Sequence, residues 1–318
     1  MPRGPVLIGL CADSFVHVGI GQSFGEVDLP FVREAATQYP FVPGSALKGA
    51  LRRAFWEEDP RFETDAHGQP TKATFRPGET AIFGHSDEGA GSLLVGDARL
   101  VLLPVRSLGF GFRYLTCPTL LARVLRDLGR CGRSPDETIE PFDLLVGDEV
   151  EETVLCRAGE SAPVFLEEVP FKVAAEPFDD DCNAVLAHII EALTDVSEAE
   201  RKAMLERIVL VTDKAFEAFA RHALPVRMRN KLDEDKLVER GALWSEEYLP
   251  PEALLYAVLA DRRPASKGPD PMAELRDLIA ARGGYLQIGG NETVGQGLCR
   301  LTVPAAEPDE PDESEKPS

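Results

Sequence analysis

Tyr39-Pro-Phe-Val-Pro-Gly-Ser-Ala-Leu-Lys-Gly-Ala-Leu-Arg-Arg-Ala-Phe-Trp56 is the stretch on which the fold turns. Its prolines and Gly44 punctuate the chain, and Ser45 is a candidate N-cap. From there Leu47, Ala50, Leu51, Ala54 and Phe55 recur at helical spacing on one face. Upstream, residues 6–13 form an apolar run that ends at Asp13-Ser14, the pattern of a buried first strand. Between run and helix lies a glycine-rich stretch, residues 17–30, with Gly19, Gly21 and Gly25. Strand, long glycine loop and capped helix are the opening of a β-α unit.

Downstream, residues 57–80 are polar with Pro and Gly, and read as a flexible insertion. Strands are expected at 92–105 and 110–116, and helical spacing covers 118–128 (Leu120, Leu121, Val124, Leu125, Leu128). The pattern from 130 to 180 is irregular, with short strand candidates at 153–157 and 164–173. An amphipathic helix is predicted over 181–193, a buried strand at 208–212, and a helix from there to about His222. Residues 226–230 and 241–248 look extended, 272–282 helical, and 285–303 form two short strands around a glycine-rich turn. The order β-α-β-β-α-β with insertions suits an α+β, ferredoxin-like (RRM-like, split βαβ) core. One domain is expected over 1–304, with insertions near 57–80 and 130–205. The acidic tail 305–318 is disordered by composition.

Lys and Arg number 34 against 54 Asp and Glu, a formal net charge of −20. The tail contributes −5 of that, from six acidic residues and one lysine, so the body is acidic too. Any nucleic-acid site must therefore be a local basic groove. The six cysteines are scattered and form no C-x-x-C pair, which argues against zinc and against a disulfide framework. The N-terminal apolar run is too short for a signal segment, and no stretch reaches the ~20 apolar residues of a membrane span. A cytoplasmic protein without membrane contact is expected.

Several residues could carry chemistry. Asp28 sits in a glycine-flanked loop, where a carboxylate could act as base or hold a metal ion. A turn before Pro30 would use the same residue. His17, in the same loop, could orient a phosphate or merely cap the first strand. Glu246, Glu247 and Tyr248 follow Trp244 and could complete a metal or proton-relay site. Paired glutamates are equally the solvated face of an edge strand. Lys48, Arg52 and Arg53 decorate the first helix just beyond Pro43-Gly-Ser45, where a helix N-terminus, a hydroxyl and a lysine could hold phosphate. The G-x-x-x-x-G-K-[ST] spacing is not met, so nucleotide hydrolysis is not indicated. Gly289, Gly290, Gly295 and Gly297 make a turn whose backbone N–H groups could approach phosphates, or simply pack tightly. Aromatics are only 7% of the chain and RNP-type motifs are missing. Base stacking is therefore not the main mode of binding, and backbone shape should be what is recognised.

Four segments together resemble the repeat-associated mysterious proteins of CRISPR systems, most closely the multi-copy backbone subunits of the type III-B Cmr effector complex. They are His17-Val-Gly-Ile-Gly with Gly25-Glu-Val-Asp28-Leu-Pro, Tyr39 through Arg52, Leu243-Trp-Ser-Glu-Glu-Tyr-Leu-Pro-Pro-Glu252, and Gln287-Ile-Gly-Gly-Asn-Glu-Thr-Val-Gly-Gln-Gly-Leu298. Ile82-Phe-Gly84 and residues 92–107 fit as well. The likeness spans residues 5–303, with 57–80 and 130–205 too variable to contribute.

The resemblance implies a ferredoxin-like palm with inserted finger and thumb elements. It implies copies stacked head-to-tail along a guide RNA, among other Cmr subunits, and cutting of the paired single-stranded target RNA at regular intervals. A divalent cation, Mg²⁺ or Mn²⁺, would be required. Asp28 occupies the cleavage position of the family's G-x-V-D-x-P loop, and a His is usual at position 17. The segment with Glu246 and Tyr248 would lie near the loop, though Ser245 stands where the family usually has an aromatic. Lys48 would contact the guide backbone. The alternative is a non-catalytic structural subunit that binds guide RNA and stacks as a filament. A guide-precursor processing nuclease is a third reading, disfavoured by the G-x-V-D-x-P and L-W-x-E-E-Y segments.

Overall fold

The N-terminal apolar run becomes the middle of a sheet. In the computed structural model Val6–Ala12 (β1) is buried at every residue after Val6. The structure describes residues 4–21, 25–58, 63–64, 70–71, 77–85, 89–144, 152–157, 159, 163–263 and 270–305. In chain order the strands that matter here are β1, β2 (Phe41–Val42), β3 (Leu93–Val95), β4 (Ala98–Ser107) and β5 (Gly111–Thr116). They continue with β6 (Ile208–Leu210), β7 (Val226–Leu232), β8 (Val238–Glu247), β9 (Leu254–Asp261), β10 (Tyr285–Gln287) and β11 (Leu298–Thr302). The helices are α1 (Gly44–Glu57), α2 (Pro77–Phe83), α3 (Pro118–Arg130), α4 (Asp180–Leu193), α5 (Glu198–Arg207), α6 (Asp213–His222) and α7 (Pro271–Ala281).

Nine strands form the main sheet in the order β6-β5-β4-β9-β1-β11-β10, with β2 added on β4 and β3 on β9. Strand β1 runs antiparallel to both neighbours, Gly9 lying opposite Tyr256 of β9 and Thr302 of β11. β4 and β9 are also antiparallel. Helix α1 lies in the connection from β1 to β4, and α7 in that from β9 to β11. Each connection thus passes over one intervening strand.

Helices cover both faces of this sheet. Ile8, Leu10 and Ala12 pack with Leu47, Leu51 and Phe55 of α1 and with Leu275 and Leu278 of α7. Leu7 and Cys11 point the other way, into a cluster with Val124 of α3 and Val185 and Ile189 of α4. A strand covered on both faces reads as a continuous apolar run, which is why residues 6–12 show no polar alternation.

The α+β expectation holds, with differences of detail. No element is expected from the pattern at 254–261, yet Leu-Leu-Tyr-Ala-Val-Leu-Ala-Asp is β9, the strand beside β1. Short apolar runs without alternation carry no period that separates strand from helix. Helix α5 buries none of its residues, so it has no apolar stripe to reveal it, although a Ser197/Glu200 capping box starts it. The far end of the 57–80 insertion is ordered as α2, because Glu79 is buried there against Arg52 at 2.6 Å. The irregular middle holds a three-stranded sheet of Thr153–Val154, Val164–Leu166 and Val169–Val173, and its Val154, Leu166 and Phe171 join the core. The expected disordered tail lies outside the described residues beyond Ala305. Among the described residues no helix is long and apolar enough to cross a membrane.

Candidate functional site

The loop after β1 is laced to the base of the β7–β8 hairpin. Val16 and Leu249 exchange backbone hydrogen bonds of 3.0 and 2.9 Å, and the Leu29 amide donates to the Ser245 carbonyl at 3.0 Å. The Glu247 amide then donates to the Leu29 carbonyl, also at 3.0 Å. Leu29 therefore makes an isolated parallel bridge with Glu246.

Asp28 is fixed by this pairing. Its Oδ2 accepts from the Ser245 amide at 2.7 Å and from the Ser245 hydroxyl at 2.8 Å. Its own amide donates to Ser245 Oγ at 2.9 Å. Those donors, the backbone amide first, hold the carboxyl below the usual carboxylate range, so it is ionised at neutral pH. Among the described residues no donor reaches Oδ1. Sequence reasoning notes Ser245 as a departure from the family's usual aromatic and gives it no role. The only signal for it is its place inside the Leu-Trp-Ser-Glu-Glu-Tyr segment.

His17, Glu246 and Tyr248 come together in a separate, enclosed cluster. The Glu247 carbonyl can only accept, so His17 Nδ1 donates to it at 2.7 Å and carries the proton. Nε2 then faces Glu246 Oε1 at 3.5 Å. The Glu246 carboxylate also receives the Tyr248 hydroxyl at 2.5 Å, the Asn291 amide at 2.8 Å, and Arg229 at 3.7 Å. Glu246 is 4% exposed and Tyr248 fully buried, so neither meets solvent in this conformation. Burial and the bond to Glu246 push the Tyr248 phenol upward, so it remains a donor. Glu247, on the opposite face, accepts from the Phe31 amide at 2.9 Å and from Arg33 at 2.6 Å. Asp28 shares no hydrogen bond with His17, Glu246 or Tyr248 among the described residues. The four side chains cluster within one loop and hairpin base but on two different faces of it.

The Glu246 cluster ties three chain segments, so it has a stability consequence. Tyr248→Phe removes one donor to a buried carboxylate and should cost about 1.5 kcal/mol. Urea unfolding of the isolated chain measures this, and an unchanged midpoint would show that the contact contributes nothing.

The glycine-rich turn divides in two. A Cβ on Gly289 would lie 2.2 Å from the His17 carbonyl, and one on Gly297 2.4 Å from the Ile288 carbonyl, both at positive φ. These two glycines let the turn close on the first loop, with the Gly290 amide donating to the His17 carbonyl at 3.0 Å. A Cβ on Gly290 or Gly295 would meet open space.

On α1, Ser45 does not cap the helix. The cap residue is Pro43, without a side-chain bond, and the Gly44 amide donates to Asp97 Oδ1 at 2.7 Å. Helix α1 starts two residues earlier than a Ser45 cap predicts, which places exposed Ser45 in the first turn. A carboxylate already sits at the positive end of the helix, where phosphate is expected from the sequence. The basic groups converge one turn further on. Lys48 donates to the Leu93 carbonyl at 3.4 Å and lines, with Arg52, Arg262 and Phe83, a cavity of about 570 Å³. Burial, then Arg52 and Arg262, pull the Lys48 ammonium below its ordinary value. This is a local basic hollow on an acidic particle, and Arg262 is a member of it that the sequence does not announce.

No group of three or more His, Cys, Asp and Glu side chains that could hold a metal exists among the described residues. A Mg²⁺ ion does not need one, since one carboxylate plus substrate phosphates commonly hold it. Asp28 Oδ1 is the oxygen that fits this use.

Comparison with known proteins shows the family and the fold. Residues 12–300 match the family model of the RAMP superfamily. The chain is 32% identical over 305 residues to the CRISPR system Cmr endoribonuclease Cmr4 of Pyrococcus furiosus, covering 93% of this chain and 95% of that one. Its fold is similar to the crystal structure of oligomeric Cmr4 from the same organism, with a TM-score of 0.64 and 26% identity over 94% of this chain and 97% of that chain. It is similar also to a chain of the type III-B Cmr-beta complex bound to cognate target RNA, with a TM-score of 0.68 and 22% identity over 95% and 98% of the two chains.

Proposed function

The chain belongs to the RAMP superfamily and, within it, to the Cmr4 family, and on that premise we propose that it is an RNA-guided endoribonuclease subunit. The observation that carries this reading is Asp28, anchored through one carboxylate oxygen while no donor among the described residues reaches the other. In this reading the protein is a backbone subunit of a cytoplasmic type III-B effector complex. It works with guide RNA, single-stranded target RNA, other Cmr subunits and further copies of itself. The antiparallel order β4-β9-β1-β11, with α1 and α7 in the interleaved crossovers, supports a split βαβ, ferredoxin-like palm. Head-to-tail contacts between identical subunits whose rotation does not close a ring build an open filament, here along the guide. Sequence is then read by guide–target pairing.

The ionised Asp28 accepts a hydrogen bond from a target 2′-hydroxyl and orients its oxygen toward the adjacent phosphorus. The O2′–P bond forms as the P–O5′ bond breaks. The hydroxyl proton leaves to Asp28 or water, and the departing O5′ takes a proton from water. The products are a 2′,3′-cyclic phosphate and a 5′-hydroxyl. Asp28 would hold a divalent cation, which would supply charge neutralisation at the phosphate. Glu246 and Tyr248, both buried, act by holding His17, Asn291 and the hairpin base. Lys48, Arg52 and the open glycines Gly290 and Gly295 face the guide backbone.

The test uses the assembled complex with guide and a matched, end-labelled target. Evenly spaced products ending in cyclic phosphate are expected, absent in EDTA and restored by Mg²⁺ or Mn²⁺. A bound but uncut target in Mg²⁺ would leave a non-catalytic scaffold subunit.

A further inference from the structure

We infer that Ser245 is a positioning residue for cleavage, holding the Asp28 carboxylate so that its second oxygen addresses the target RNA. This rests on the reading of Asp28 given above. A hydroxyl has one proton and can accept through its lone pairs, and Ser245 uses both capacities on a single partner. It donates to Asp28 Oδ2 at 2.8 Å while accepting from the Asp28 amide at 2.9 Å. The Ser245 amide adds 2.7 Å to the same Oδ2, and its carbonyl takes the Leu29 amide at 3.0 Å. The side chain and backbone of one residue thus fix the position and the rotation of another.

Ser245 is itself well seated. It is 8% exposed, on β8 opposite Met228 of β7. The described residues just before Asp28 are sparsely buried, with Gly25 and Glu26 exposed and Val27 half-buried. A loop carboxylate without such an anchor samples several rotamers, and a misplacement of about 1 Å can cost ~100-fold in rate. Ser245 takes no part in bond making. It acts through Asp28.

The experiment measures single-turnover cleavage of a saturating matched target by the assembled complex carrying Ser245→Ala, Ser245→Thr, Asp28→Asn, or Ser245→Ala with Asp28→Asn. Alanine keeps the backbone bonds and loses both hydroxyl bonds. The cleavage rate constant should fall about 10-fold with guide and target affinity unchanged. Threonine retains the hydroxyl and should restore the rate to within about 3-fold of wild type. In the Asp28→Asn background the alanine change should alter nothing further.

Wild-type cleavage by Ser245→Ala, with Asp28→Asn inactive, would overturn the role of Ser245 and leave that of Asp28 standing. Undiminished cleavage by Asp28→Asn would instead overturn the reading of Asp28 itself. A Ser245→Ala protein whose target affinity falls along with its rate, and which threonine does not rescue, would have a purely structural serine, and the inference would fail.

Discussion

Asp28→Asn lowers target cleavage by at least ~100-fold while guide and target binding persist. The expected size follows from what the change does to each oxygen. Ser245 presents two donors, its amide and its hydroxyl, to one atom of the side chain. Asparagine satisfies them only by turning its carbonyl oxygen inward. Its NH₂ group then stands where the open carboxylate oxygen was. An acceptor of the 2′-hydroxyl becomes a donor, and the negative charge that would hold a cation is lost. Size and loop geometry barely change, so binding is a fair internal control. Single-turnover cleavage with a labelled target, beside an affinity measurement at the same salt, makes the comparison. Cleavage within about 3-fold of wild type would remove Asp28 from the chemistry.

Gly9→Ala is the largest expected effect on stability. Gly9 lies in the middle of β1, and a Cβ there would sit 1.7 Å from the carbonyl oxygen of Leu193, the last residue of α4. The obstacle is backbone, not the end of a flexible side chain, so relief requires the helix to move off the sheet. Leu193 and its neighbours Ile189 and Ile190 are buried in the cluster beneath β1, and that packing would be lost with the movement. Overpacking typically costs 1–3 kcal/mol, and this position should be at or beyond the upper end, about 3 kcal/mol. A melting temperature lower by roughly 5–10 °C is expected for a domain of this size. Thermal unfolding of the purified chain tests it, and a shift below about 1 °C would mean that α4 does not rest on Gly9.

The two positions differ in how far the sequence discloses them. The loop containing Asp28 is conspicuous, since a carboxylate among glycines before a proline is a limited pattern, and the family resemblance gives it a role. Gly9 looks like one more residue of an apolar run. Its constraint comes from a helix more than 170 residues away in the chain, and no local spacing encodes that approach. Lys48 was legible as a basic residue on the first helix. That it shares a hollow with Arg262 was not, because β9 brings Arg262 there, and β9 has no periodic signature.

Local chemistry alone determined where most strands and helices lie, that the chain is an acidic particle with a basic locality, and which loop carries the carboxylate. Apolar period, glycine and proline are properties of neighbours in sequence, so they survive without a fold. The tertiary structure alone decided that Ser245 anchors Asp28, that Asp97 rather than Ser45 meets the start of α1, and that Glu246 and Tyr248 are enclosed. Each of these is a hydrogen bond or an enclosure between segments far apart in the chain. A donor finds its acceptor there only once the sheet has been assembled, and the sequence pattern carries no record of the pairing.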